Sequence, residues 1–119
     1  MNAETLREYC LAKPGVTEHT PFGPDNLVFK VGDKMFLIIS LDEPILSFNA
    51  KCDPEKAVQL REQYSSIKPG YHMNKQHWNT VTADGSLREN LVKELVDDSY
   101  ELIKSGLSKK KQEEINKLS

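Results

Sequence analysis

A chain of 119 residues with 38% hydrophobic and 29% charged residues has the composition of one soluble domain, long enough to bury roughly two thirds of its unfolded surface in a single core. Its 16 basic and 18 acidic residues leave a formal net charge of −2, which excludes indiscriminate nucleic-acid binding, because many lysines and arginines supply that affinity by neutralising phosphates. No apolar run approaches the roughly 20 residues of a membrane span, and the start Met1-Asn2-Ala3-Glu4-Thr5 lacks the basic and apolar regions of a secretion signal. A cytoplasmic monomer without a membrane partner is expected. Cys10 and Cys52 sit in no C-x-x-C pair and are expected as free, buried thiols in a reducing compartment.

Residues 3–13 carry Ala3, Leu6 and Cys10 at helical spacing, with Thr5 and Glu8 spaced like a capping box for a late start, and Pro14-Gly15 ends the helix. Residues 16–26, with two prolines, a glycine and several turn formers, predict an ordered loop that continues neither periodicity and is anchored by Phe22. Three strands follow. Leu27, Phe29 and Val31 alternate with Val28 and Lys30, and Gly32-Asp33 supplies a primed turn. Residues 34–41 are apolar almost throughout, which predicts a central strand covered at least in part on both faces. After Asp42-Glu43-Pro44, Leu46, Phe48 and Ala50 alternate with Ser47, Asn49 and Lys51.

Asp53 as N-cap and Pro54 in the first turn open a second helix, with Ala57, Leu60 and Tyr64 on its inner face. Farther on, Asn74 caps a single helical turn before a strand over residues 77–82, in which Trp78, Thr80 and Thr82 oppose His77, Asn79 and Val81. Ser86 and Glu89 read as the capping box of a third helix over residues 87–104, closed by Gly106 at a C′ position. Residues 108–118 read as a solvated tail helix, basic through Lys109, Lys110 and Lys111 and open to fraying. The order helix, three strands, helix, one or two strands, helix predicts an α+β class: one domain over residues 1–119, a mainly antiparallel sheet with helices packed on one face, and a C-terminal tail helix.

No nucleophile-elbow, phosphate-loop or dinucleotide pattern occurs, and no spacing sets a carboxylate beside His19, His72 or His77, so a non-enzymatic role is expected. His72 and His77, even with Cys52 or His19, lack the tight paired spacing of a closed metal site. No metal or cofactor is assigned. The stretch from Lys68 to Val81 concentrates the lone tryptophan, two histidines and two lysines, and no acid lies between Glu62 and Asp84. Lys68 and Lys75 suit phosphates, as do His72 and His77 when protonated; Asn74, Gln76 and Asn79 suit base edges, and Tyr71 and Trp78 offer stacking faces. Each also has a structural reading, Trp78 as core and Asn74 as a local cap.

The run Lys68-Pro-Gly-Tyr-His-Met-Asn-Lys-Gln-His-Trp-Asn-Thr-Val81, with Pro14-Gly-Val, Glu18-His, Pro21-Phe-Gly23, the Phe29 to Phe36 hairpin and Lys51-Cys-Asp-Pro-Glu55, resembles the YjbR/MmcQ-like family of small bacterial proteins, nearly end to end. The resemblance implies a CyaY-like or secretion-chaperone-like α+β fold and a double-wing DNA-binding motif. With wings at Gly32-Asp33 and around Asn74, Lys30, Lys34, Lys75 and His77 would meet the phosphate backbone. DNA binding through Lys68, Tyr71, His72, Asn74, Lys75, His77, Trp78 and Asn79, joined by Lys30 and Lys34, is the resulting expectation, with Trp78 mainly holding the strand in place. A protein-interaction or chaperone-like adaptor with Tyr71, His72 and Trp78 as its hot spot stays open, as does a small-ligand domain with a cleft between residues 19–22 and the Trp78 strand.

Overall fold

A computed structural model describes residues 1–118. Among the described residues the elements run α1 (Ala3–Leu11), β1 (Val16–His19), β2 (Asn26–Val31), β3 (Lys34–Ser40), β4 (Ser47–Lys51), α2 (Pro54–Gln63), β5 (Ile67–Pro69), β6 (Trp78–Thr82), α3 (Glu89–Ser105) and α4 (Lys109–Asn116). The strands form one sheet in the order β1-β2-β3-β4-β6-β5, with every neighbouring pair antiparallel. The class is the predicted α+β, and the predicted meander is β2 to β4.

Local sequence explains most boundaries. Gly32 and Asp33 both adopt positive φ, 56° and 65°, the backbone that a two-residue primed turn demands. Asp53 caps α2, its carboxylate accepting from the Lys56 amide at 3.3 Å, and Pro54 follows in the first turn. The β2–β3 register shifts between Phe29 and Lys30, which pair with Leu37 and Met35. That bulge lets the consecutive Phe36 and Leu37 both join the main core, where Phe36 meets Tyr100 edge-on at a centroid distance of 5.5 Å.

All four helices serve one side of the sheet. Leu6 and Cys10 from α1, Ala57 and Leu60 from α2, Val92, Leu95, Val96 and Tyr100 from α3 and Ile115 from α4 share a core with Phe29, Val31, Leu37, Ile39, Phe48, Ala50 and Val81. Ser99, fully buried on α3, donates to the Phe36 carbonyl and accepts from the Lys51 amide at 2.8 Å, which ties the helix to two strands. Both cysteines are buried and free; burial pushes the Cys10 thiol up to about 12, which keeps it protonated and inert.

Several predicted details differ. Residues 16–19 are strand rather than loop, because β2, ten residues away in sequence, supplies the backbone partners that the local sequence does not announce. Phe22 is no anchor; it is 65% exposed. The α1 capping box is Asn2 with Thr5, whose amides and side-chain oxygens exchange bonds of 2.8 and 2.9 Å, not Thr5 with Glu8. At α3 the expected Ser86–Glu89 box does not form: Ser86 gives its hydroxyl and amide to Asp84 at 2.6 and 3.0 Å, and Arg88 stands at the N-cap without a side-chain bond. Gly106 ends α3 in the right-handed region, at φ −84°. The tail is docked, not frayed: Ile115 is 4% exposed and packs where a Cβ on Gly15 would stand 3.3 Å from it.

Truncating Ile115 to alanine should therefore cost about 2–4 kcal/mol in urea unfolding, the range for a buried aliphatic side chain; no loss would mean that α4 does not dock. Ser86 hydrogen bonds, helped by Ser66, lower the Asp84 carboxyl to about 2. Since a native value below the ordinary one stabilises the fold above the ordinary carboxylate range and is lost as pH falls toward 2, a carbon-detected titration should place the Asp84 midpoint near 2, and Ser86→Ala should raise it.

Candidate functional site

With helices on one side only, alternation leaves the other side of the sheet open. The register assembles one row across all six strands: His19, Val28, Ile38, Asn49, Thr80 and Lys68 are successive cross-strand partners, a line of roughly 24 Å at about 4.8 Å per strand. On one side of it lie the pairs Thr17 with Lys30 and Lys51 with Trp78; on the other runs the row Asn26, Ser40, Ser47 and Thr82. Lys30, Lys51 and Lys68 all stand on this open face, each next in sequence to residues of the buried side such as Val31, Ala50 and Ile67. Among the described strand residues the one carboxylate is Glu18, which shares the helix side with Phe29 and pairs with Arg7 of α1 at 2.6 Å.

Residues 70–77 cross part of this face. Gly70 starts the crossing, its amide donating to the Trp78 carbonyl at 2.8 Å; a Cβ there would stand 2.8 Å from that of Trp78, so only glycine fits. Thr80 accepts from the Tyr71 amide at 3.0 Å and donates to Asn49, which in turn donates to the Tyr71 carbonyl at 3.3 Å. The far end is held from α2. Arg61 donates to the Lys75 carbonyl and, at 2.6 Å, to the side-chain oxygen of Asn79, whose amide reaches the Ala57 carbonyl at 3.5 Å.

Where the crossing segment faces residues 20–26 and 41–45, a cleft of about 410 Å³ opens, with Ile38, Asn26, Ser40 and Asn49 beneath and Phe22, Asp42, Glu43, Tyr71 and His72 around it. Tyr71 is 69% exposed. Its ring lies 4.0 Å from that of His72, a residue held at φ 60°. A second hollow, about 470 Å³ beside α2 and α3, is lined by Cys52, Asp53, Lys56, Asp98 and Glu101; its one cation is engaged, since Lys56 donates to Asp98 at 2.6 Å and lies 3.7 Å from Glu94. The open-face cleft instead joins polar side chains without partners among the described residues to two exposed aromatic rings.

The predicted site residues separate into two sets. Lys68, Tyr71, His72 and Lys30 belong to the open face or its cleft. Trp78 and Asn79 are 9% and 3% exposed; Asn79 faces the helices with its amide engaged, which corrects its expected role at base edges. Lys75 is exposed, and its ammonium donates to the Gly70 carbonyl at 2.9 Å, closing its own loop. Asn74 accepts from the Gln76 amide at 3.0 Å, and its carbonyl takes the His77 and Trp78 amides, the predicted single turn. His77 is half-buried, its carbonyl accepting from the Cys52 amide at 2.7 Å. Lys34 pairs with Val31 and so shares the helix side, and the Gly32 turn lies against Leu107 rather than projecting as a wing. Sequence reading passed over Lys51, Arg61 and Asn49. Lys51 and Asn49 carried a signal, their alternation with Phe48 and Ala50; Arg61 carried none.

Fold and face define a small α+β domain with a one-sided antiparallel sheet. The chain belongs to the YjbR family, whose family model matches residues 11–102. It is 40% identical over 112 residues to the uncharacterized protein YbdF of Escherichia coli O157:H7, covering 94% of this chain and 92% of that one. With the uncharacterized protein YjbR of Escherichia coli K12 the identity is 38% over 101 residues, 85% and 86% of the two chains. A crystal structure of a Deinococcus radiodurans protein with the domain DUF419 superposes with a TM-score of 0.91 at 38% identity, over 97% of this chain and 88% of that one. A Pseudomonas syringae protein follows at TM-score 0.75 and 29% identity, over 87% and 99%.

Because Arg61 serves two elements at once, Arg61→Ala should cost about 2 kcal/mol in urea unfolding, the scale of a charged hydrogen bond, and speed amide exchange in residues 70–77. Unchanged exchange there would show that the segment is held by other interactions.

Proposed function

We propose that the protein is a non-enzymatic DNA-binding domain whose contact surface is the open face of the sheet, from Lys68 and the Tyr71–His72 segment across to Lys30. One observation carries this reading: Lys30, Lys51 and Lys68 stand on a face whose described strand positions hold no carboxylate. Lysines on regular strands are spaced by the sheet itself, which suits contact with a repeating phosphate backbone. Asp42 and Glu43 follow β3 at the end of the face carrying Asn26, Ser40, Ser47 and Thr82, so phosphates belong away from it, by Lys30 and Lys51 at the other end and Lys68 on the central row. The cleft favours a second reading, a small-ligand domain, because exposed rings and unspent polar groups converge in it.

Fluorescence anisotropy with labelled DNA, from low to physiological salt, tests the first reading. Affinity should fall linearly on a log–log salt plot, and the triple variant Lys30→Ala, Lys51→Ala, Lys68→Ala should flatten the slope by about 2–3 units, at roughly 0.7–0.9 for each phosphate no longer neutralised. Lys109→Ala with Lys110→Ala, on the helix side, should change nothing. Salt-independent binding, or an unaltered slope in the triple variant, contradicts the proposal.

A further inference from the structure

The cleft beside Tyr71 lies toward the Asn26 and Ser40 end of the open face, away from Lys30 and Lys51. Two large aromatic side chains border it while 65% and 69% exposed, Phe22 and Tyr71. Both Tyr71 backbone groups are fixed, by Thr80 and Asn49, and the next residue, His72, holds a left-handed backbone at φ 60°, a conformation uncommon outside glycine. Their rings form a pair, 4.0 Å between centroids, beside the cleft. Asn26, Ser40, Asp42 and Glu43 line the same space, and none of their side chains has a hydrogen-bond or ion-pair partner among the described residues. The volume, about 410 Å³, falls in the range of roughly 300–1,000 Å³ for ligand sites.

Resting on the nucleic-acid reading above, we infer that this cleft seats one unstacked nucleobase bearing an exocyclic amino group, so that the strand taken by the open face is single. Planar rings with exposed faces stack on bases of any kind. Carboxylates do the selecting: Asp42 and Glu43 repel phosphate but accept from amino groups such as that of cytosine, whereas the thymine edge presents an oxygen and a methyl group instead. The lysines meet the backbone. Lys68 belongs to the same cross-strand row as Asn49 and Thr80, which hold Tyr71 in place, so a strand whose base occupies the cleft has its phosphates led toward the basic end. A paired base in a duplex, stacked on both sides, cannot also stack on the Tyr71 ring.

Anisotropy titrations of the full chain with labelled oligo-dC, oligo-dT and a mixed-sequence duplex, at one fixed low salt concentration, separate the possibilities. Oligo-dC should bind more tightly than oligo-dT by at least about fivefold, the lower end for a base-edge recognition pair, and more tightly than the duplex. Tyr71→Ala, a change at an exposed position, should bring oligo-dC down to the duplex level with the salt slope kept. Asp42→Asn with Glu43→Gln should erase the dC-over-dT preference. Duplex binding that equals or exceeds oligo-dC, or a Tyr71→Ala variant with unaltered oligo-dC affinity, overturns the base site while leaving salt-dependent DNA binding in place. Absence of binding to all three probes overturns the nucleic-acid reading itself.

Discussion

A sheet has two faces, and here the helices cover one. Val28, Ile38 and Trp78 are buried on the other side, apart from the main core, so something besides a helix must shield that face. Residues 70–77 supply part of that shield. The segment has no ladder partners of its own, and its backbone is held by turn bonds such as Gly70 to Trp78 together with side chains: Thr80 and Asn49 at one end, Arg61 at the other. Asn79 links the system to the helices, since its buried amide bridges Arg61 and the Ala57 carbonyl. A buried amide left half-satisfied is costly, which makes Arg61 the point on which both the crossing segment and the shape of the cleft depend.

That constraint explains why structure and binding share one stretch of chain. Gly70, Trp78 and Asn79 are buried and serve the architecture, while Tyr71 and His72, held by the same framework, are left exposed on the cleft. Net charge is a poor guide to such a surface. The chain as a whole is acidic, but α3 carries Glu94, Asp97, Asp98 and Glu101 on its own side of the sheet, and Asp97 and Asp98 are already paired with Lys13 and Lys56. Exposed charges farther apart than about 8–10 Å are largely screened at physiological salt, so what a ligand meets at the open face is set by the lysines there and by the two loop carboxylates at its far end.

Much of the fold was legible in the sequence because it is local. The Gly32-Asp33 turn, the Asp53-Pro54 helix start and the period-two pattern of β2 and β4 each need only a few adjacent residues. Strand β1 was not legible: Val16–His19 is short, lies between a Pro-Gly stop and a Pro-rich loop, and becomes strand by pairing with β2. The Ser86–Glu89 box failed because Asp84, two residues before Ser86, takes its hydroxyl and amide in a local turn, with Ser66 adding a contact from a distance the sequence does not reveal. At the site, Lys68 and Tyr71 stand exposed, which the sequence alone left open. Asn79 was misjudged because an amide on a strand looks the same facing a ligand or an arginine, and the partner, Arg61, lies a helix away.

Nitrogen–proton correlation spectra recorded while a short single-stranded oligonucleotide is added at low salt test the open face most directly. Shifts should gather at Thr17, Lys30, Lys51, Lys68, Tyr71, His72 and Thr80, with the outer surfaces of α1 to α4 silent. Shifts centred instead on the lysines of α4 or along α3, with the sheet unmoved, would contradict it.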